Sequence, residues 1–307
     1  MNVCTDKTGL DGLVEDSSWR PQWETSLRKV IRLPNVPVLL LSATVPTLFE
    51  GELWKCLGLS DDGSTPHHAR VLQESTQRLN ISYQVTNLDF EAQRPGREAS
   101  DEEKAAWLEE WVGNLSEILD DHRDQLEDWE RGLVFFTEKD FAQELAGQVN
   151  LPVITGDSKQ ADRDRIWGEW HMGTSPIIAT NKAGYYGVDY PHVAFTIHID
   201  RPRSMLDFAQ SSGRAGRGGG IVRSLVLLPF ISAKPSKWEM GLKETFAGVW
   251  AIKEMLRSKH CYRINLAEFL DGEDNAPTCA VLAGVHGAQT IAWCGNCVPP
   301  DLEDADT

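Results

Sequence analysis

Apolar runs of strand length alternate with stretches of helical period through the middle of the chain. Residues 79–85 alternate as a half-buried strand does, and residues 132–137 form a compact apolar strand. Residues 139–149 then carry helical spacing, 151–155 read as a strand, 162–171 as a helix and 176–180 as a strand. Further strands are expected at residues 193–199 and 222–228, with a short helix at 205–212 between them. Strands alternating with helices of this length imply parallel βαβ units, hence an α/β fold with a parallel sheet flanked by helices. Ahead of this region, residues 36–41 (Val-Pro-Val-Leu-Leu-Leu) read as a buried strand running into Ser42-Ala43-Thr44. Behind it, residues 238–260 read as a longer helix that leaves the alternation and leads into a cysteine-bearing tail. The pattern puts boundaries near residues 85–90 and 230–240, with no internal repeat.

Trp107, Leu108, Trp111, Leu115, Ile118 and Leu119 recur at helical spacing inside the most acidic stretch, residues 89–131, which holds 15 Asp/Glu against 5 Lys/Arg. The expectation is an amphipathic helix with a solvated acidic face, preceded by a loop at residues 92–96. Residues 301–306 form a second acidic stretch, read as a frayed tail. This distribution changes the meaning of the net charge. At −16 the chain as a whole is unlike proteins that coat nucleic acid, yet residues 201–223 carry five Arg and one Asp. Composition (41% hydrophobic, 25% charged) excludes a disordered or fibrous chain, and 307 residues allow two domains of roughly 150 each. No apolar run approaches the roughly 18 residues of a membrane span, so no membrane partner is expected. The first residues carry no secretory pattern, which leaves a cytosolic or nuclear location.

The densest chemistry is Gln210-Ser211-Ser212-Gly213-Arg214-Ala215-Gly216-Arg217. Two arginines three residues apart at the exit of a helix can face one anion. The glycines permit the tight turn, and guanidinium groups match phosphate oxygens bidentately. Gln210, one turn earlier, can bond to a partner across a cleft. Following a strand and a helix, the stretch reads as a structured phosphate site.

This stretch resembles motif VI of superfamily 2 helicases, and residues 199–208 (Ile-Asp-Arg-Pro-Arg-Ser-Met-Leu-Asp-Phe) resemble its lead-in within the RecQ family. Ser42-Ala43-Thr44 resembles motif III and Leu133-Val134-Phe135-Phe136-Thr137 resembles motif IV. Gly156 with residues 163–173 resembles the family segment that follows, and Ala179-Thr180, Gly184 and Gly187-Val188-Asp189 resemble motif V. The resemblance runs from about Trp19 to Cys297 and is nearest to divergent fungal telomere-linked RecQ-like helicases. It implies the C-terminal half of a helicase core, built on a RecA-like second lobe. It further implies that Arg214 and Arg217 act as fingers on the ATP phosphates, with Gln210 among the catalytic residues. Asp189, Gly187 and Gly213 would lie on the nucleotide side, and Thr180, Arg203, Ser42 and Thr44 on the DNA. The implied cofactor is ATP with Mg²⁺, and the implied partner is DNA, single-stranded or with a 3′ overhang, in the nucleus. Two departures stand out: motif V is one residue longer between Gly184 and Gly187, and Gly218-Gly219 replaces the usual Asp-Gly.

Four of the six cysteines cluster late in the chain, which is not a secreted disulfide pattern. Cys261, Cys279, Cys294 and Cys297 could form a tetrahedral zinc site anchored by the Cys294-Gly295-Asn296-Cys297 turn. Cys261-Tyr262-Arg263 followed by Phe269-Leu270-Asp271-Gly272-Glu273 resembles the opening of the RecQ zinc domain. The family's later cysteines stand closer together, so His286 is a possible substitute for Cys279. Cys4 and Cys56 read as ordinary reduced thiols.

A helicase ATPase needs a Gly-Lys-Ser/Thr phosphate loop and an Asp-Glu-Xaa-His box. The chain has no Gly-Lys dipeptide, and its one Asp-Glu pair, Asp101-Glu102, follows motif III and is out of order. Trp19-Arg20-Pro21 resembles the segment that follows the box. The expected organisation is therefore a remnant of a first RecA-like lobe (residues 1–86), a second lobe with the helicase C-terminal domain (87–232), a small helical zinc-binding subdomain (233–300) and an acidic tail (301–307). On this reading no winged-helix domain of the kind many relatives carry is expected within these residues. The implied activity is that of a RecQ-like ATP-dependent 3′–5′ DNA helicase, present as a partial chain and inactive alone. The alternative is a non-catalytic DNA-binding or interaction module derived from a helicase.

Overall fold

The computed structural model describes residues 29–31, 33, 36–42, 44–66, 68–91, 98–137, 139–181, 189–229 and 248–297. Trp19-Arg20-Pro21, Ala43, the loop at 92–96, Gly184 to Val188, residues 238–247 and the tail 301–307 lie outside them, as do Cys4 and the side chain of Cys56. The chain divides into two compact units: residues 1–76 with 267–275, and residues 77–266 with 276–307.

The first unit contains a short helix, α1 (Glu50–Leu57), entered through a 3₁₀ turn at Thr47–Phe49 and closed by Gly58 in the left-handed region. Asp271 is buried and accepts from the Thr76 amide (2.9 Å) and the Ser75 hydroxyl (3.3 Å). The strand expected at residues 36–41 is absent. These residues adopt no regular element, and Leu39 and Leu41 are 77% and 78% exposed. A strand needs a neighbouring ladder for its N–H and C=O groups, and none of the described strands pairs with this segment.

The second unit is built on six parallel strands: β1 (Ile81–Asn87), β2 (Arg131–Phe136), β3 (Val153–Ile154), β4 (Ile177–Thr180), β5 (Val193–Ile199) and β6 (Val222–Leu228). Their order is β1-β6-β5-β2-β4-β3. All six residues of β2 are buried, as in a parallel sheet covered on both faces. On one face lies α2 (Asp101–Asp124), whose Trp107, Trp111, Leu115 and Leu119 join Val134, Phe136, Ile177, Phe195 and Leu227 in the main core. Leu145 and Ala146 of α3 (Lys139–Gln148) join the same core. Its capping box closes α2 at the N-terminus: Ser100 Oγ accepts from the Glu103 amide (3.2 Å), and Glu103 accepts from the Ser100 amide (2.7 Å). Glu102, Glu109, Glu117, Asp120, Asp121 and Asp124 are exposed, so the acidic face expected from the sequence is solvated. The helix α4 (Gln160–Met172) anchors through Trp170, fully buried, whose indole donates to Gly132 O (3.1 Å). Gly132 has no alternative here, because a Cβ would sit 2.2 Å from the Phe195 ring.

The opposite face is covered by α5 (Met205–Ser212). Phe208 lies 5.8 Å from the Tyr83 ring and 5.2 Å from His198, which in turn lies 5.2 Å from Phe135. The strand β1, which a division at 86/87 would place in the first unit, pairs with β6 over its whole length, from Ile81 with Val222 to Asn87 with Leu228. The unit that holds the sheet therefore starts at Gln77. The long helix expected at 238–260 is described only from Val249, where α6 (Val249–Arg257) begins. Two further helices follow, α7 (Tyr262–Asp271) and α8 (Cys279–His286). No helix among the described residues is long and apolar enough to cross a membrane.

His198 makes the core sensitive to acid. Its Nε2 meets Ser211 Oγ at 2.7 Å; the hydroxyl donates to Asp207 O (2.6 Å), which leaves the imidazole as donor. Burial pushes its pKa down to about 4. The unfolded chain takes up this proton near pH 6.5 and the folded chain does not, so His198 favours the fold fully above pH 6.5. Its contribution shrinks as pH falls towards 4, by roughly 3 kcal/mol in all. Urea unfolding at pH 7 and pH 4.5 should show this loss in the wild type and much less of it in His198→Gln. Equal losses in both would show that other groups carry the acid sensitivity.

Candidate functional site

The helix α5 ends at Gly213, and the turn that follows presents Arg214 and Arg217. The turn returns the chain to the N-terminal end of β5, where Gly216 N donates to Val193 O (3.0 Å) and Gly218 N to Pro191 O (2.7 Å). There Arg217 forms an ion pair with Asp189. Two residues expected on the nucleotide side are thus brought together from stretches 28 residues apart in sequence. Gly213 leaves no room for a side chain, since a Cβ would lie 2.8 Å from Ala209 O. Gln210 is half-buried on the last turn of α5, and Gly187 lies outside the described residues.

The carbonyls of this turn are held from outside it. Arg78 donates from Nη1 to Gly213 O (3.2 Å) and from Nη2 to Ala215 O (3.0 Å) and Gly216 O (3.1 Å). Asn80 Nδ2 donates to Gly216 O (2.7 Å) and Gly220 O (2.9 Å). Gly216 has φ +66, and a Cβ there would fall 2.5 Å from the Asn80 amide, so a glycine is required twice over.

The opposite ends of the strands gather a different set. Thr180 closes β4 and is fully buried. Arg203 is exposed and donates to Thr137 O (2.8 Å) just past β2, while Thr137 Oγ1 donates to Arg201 O (2.9 Å). Ser42 and Thr44 lie in the other unit, linked by a Thr44 N to Ser42 Oγ bond of 3.3 Å.

A third group consists of the late cysteines. The Sγ atoms of Cys261, Cys279, Cys294 and Cys297 all lie within 4.8 Å of one another, with Cys261 3.6 Å from Cys279 and 3.8 Å from Cys294. Four thiolates around one zinc at about 2.3 Å would stand about 3.8 Å apart, whereas a disulfide requires about 2.05 Å. Hydrogen bonds from Cys279 and Cys294 hold the Cys261 thiol well below the usual range. The same bonding to Cys261 raises Cys279 far above it and pushes Cys294 to about 11, and burial pushes Cys297 to about 12. Each further thiolate among sulfurs this close is opposed by those already ionised, and a bound dication is what would let all of them ionise. Cys279 opens α8 beside the other sulfurs, with Thr278 Oγ1 capping the helix by accepting from Val281 N (3.0 Å). His286, at the far end of α8, is exposed and outside the group.

Residues 112–219 match the family described as the helicase conserved C-terminal domain. Over a longer stretch, the chain is 25% identical over 246 residues to ATP-dependent DNA helicase Q-like 2 of Arabidopsis thaliana, covering 78% of this chain and 31% of that protein. It is 24% identical over 245 residues to putative ATP-dependent DNA helicase Q1 of Caenorhabditis briggsae, covering 77% and 35%. The chain spans about a third of the length of these curated relatives. Among solved structures, S. cerevisiae Dbp5 bound to RNA and ADP BeF3 aligns with a TM-score of 0.51 at 16% identity, over 70% of this chain and 51% of that one. That likeness is one of fold: the six parallel strands with flanking helices match a RecA-like helicase C-terminal lobe.

Three residues of the site are not legible in the sequence. Arg78 and Asn80 hold the arginine turn but sit 135 or more residues before it, and Arg263 was noted only as part of a cysteine-adjacent run. All three act on backbone carbonyls, which every residue type carries, so the identity of their targets leaves no trace in the sequence. The usable signal was a negative one: polar residues at 78 and 80 immediately before an apolar strand.

Proposed function

We propose that the chain supplies the second lobe and the metal-binding module of a RecQ-like ATP-dependent 3′–5′ DNA helicase of the nucleus. The ion pair between Arg217 and Asp189 carries this reading, because it unites residues from two separate helicase-like motifs at one edge of the sheet. Arg214 and Arg217 would meet the ATP phosphates there, and a guanidinium aimed at the transferring group stabilises the charge that develops on it. Gln210 and Gly213 line the same turn, with Asp189 towards the ribose. Arg203 sits past the carboxyl ends of the parallel strands, where such sheets bind their ligands, and is assigned to the DNA backbone; Thr180, buried at the end of β4, would support that surface from beneath, and Ser42 and Thr44 are assigned to DNA on the other unit. Cys261, Cys279, Cys294 and Cys297 would hold a structural zinc, which supplies folding energy and takes no part in hydrolysis. The remainder of a first lobe is assigned to residues before Gln77 rather than to 1–86, because β1 belongs to the sheet, and the residues up to 232 and 233–300 are assigned to the second lobe and the zinc module.

The chain contains neither a Gly-Lys-Ser/Thr loop nor an ordered Asp-Glu-Xaa-His box. ATP turnover on the isolated chain is therefore expected to stay at background with or without DNA, and robust DNA-stimulated hydrolysis would overturn this. Binding of single-stranded DNA without unwinding favours the module reading of the same surface. It should weaken steeply with salt, and Arg203→Ala should lower affinity several-fold while reducing the salt slope by roughly one, whereas Arg223→Ala, at the opposite end of the sheet, should change little. Unchanged binding in Arg203→Ala would remove DNA from this surface.

A further inference from the structure

Arg263 follows Cys261 by two residues, and its side chain is fully buried. Its guanidinium donates to four backbone carbonyls: Arg78 O (2.8 Å), Leu79 O (3.2 Å), Ile81 O (2.6 Å) and Ala292 O (2.7 Å). Tyr83 lies beneath it, with the ring centroid 5.3 Å from Cζ. Three of these acceptors belong to the stretch leading into β1, and the fourth precedes the Cys294 turn. That turn is itself stapled along β1, through Ala292 N to Leu79 O (2.7 Å), Gly295 N to Tyr83 O (2.9 Å) and Ser82 Oγ to Trp293 O (2.6 Å). One buried cation therefore fixes the backbone of residues 78–81 to the cysteine module. From that same backbone, the side chains of Arg78 and Asn80 reach the other way and hold the turn carrying Arg214 and Arg217. The turn has little means of holding itself, since residues 216–220 include four glycines.

We propose that Arg78 is a positioning residue for the Arg214/Arg217 pair, kept in place by Arg263, and that the metal state of the cysteine site is transmitted to the arginine turn along this route. The inference rests on reading the turn as the phosphate-facing element and the cysteines as a metal site. It places the determinant of the arginine geometry outside every helicase-like motif in the chain.

Amide hydrogen exchange on the full chain tests it, because the amides of Arg214, Ala215, Gly216 and Gly218 are hydrogen-bonded and hence protected. Arg78→Ala should speed their exchange by roughly tenfold or more while amides of β2 keep their wild-type rates, and Arg78→Lys should fall between. Arg263→Lys, which keeps an arginine at position 78 but loosens its backbone, should also speed the turn. Zinc removal by a chelator should speed it in the wild type and add nothing in Arg78→Ala. Turn amides that do not respond to Arg78→Ala or to Arg263→Lys would overturn the relay. A chelator effect of equal size in Arg78→Ala would overturn its dependence on Arg78. If metal analysis finds no bound zinc, the metal reading fails by itself, and the two arginine variants still decide whether the relay exists.

Discussion

Metal analysis of the purified chain is expected to return about one zinc per chain, and Cys294→Ser is expected to lose it together with upwards of about 5 kcal/mol of stability. Cys294 is fully buried among three other sulfurs, so the serine variant leaves a donor set that cannot complete a tetrahedron. The damage extends beyond the ligands. Residues 292–295 lie along β1 through bonds to Leu79, Ser82 and Tyr83, and a bound metal would tie this stretch to Cys261 and to the start of α8. Because zinc binds thiolates and Cys294 and Cys297 resist ionisation, retention should weaken as pH falls, with protons displacing the ion. Zinc content read against pH, with far-UV dichroism in parallel, checks both halves. A chain that holds no metal and melts normally would refute the assignment.

Arg263→Ala is expected to cost about 3–5 kcal/mol in urea unfolding, the range for removing one partner from a buried charged network. The substitution strips donors from four carbonyls at once and leaves them without water to replace the bonds. It also opens the space beside Tyr83. Arg263→Met should recover part of the loss by refilling the volume and should not recover the share that belongs to the carbonyls. A loss below about 1 kcal/mol in Arg263→Ala would mean that solvent or a neighbour satisfies these groups instead.

The parts of the fold that were legible share a physical cause. Val193–Ile199, Met205–Ser212 and Val222–Leu228 carry their bounds unchanged from pattern to structure. Each is a short apolar or amphipathic run closed by a turn-forming residue, and a strand buried on both faces of a parallel sheet has few other ways to satisfy its side chains. Residues 36–41 have an equally apolar pattern and form no strand, since hydrophobicity supplies only half of what a strand needs. The other half is a neighbour, and pattern is blind to it. In the cysteine cluster, the count of cysteines and the Cys294/Cys297 turn are legible in the sequence, whereas the choice between Cys279 and His286 is not. They stand at opposite ends of α8, and only the packing of that helix decides which end faces the other sulfurs.

The net charge illustrates the same division. Sequence alone located the acid in residues 89–131 and the arginines in residues 201–223, and the structure lays the acid on the outer face of α2. What the sequence determined by itself was local: element type, the arginine turn, the cysteine set and the absence of a phosphate loop. What only the tertiary structure decided was which distant groups meet. Arg217 finds Asp189, Arg78 finds the carbonyls of residues 213, 215 and 216, and Arg263 finds those of residues 78, 79, 81 and 292. Side-chain periodicity is written residue by residue, but a backbone carbonyl is the same group everywhere, so its partner is chosen by the fold and by nothing in its own residue.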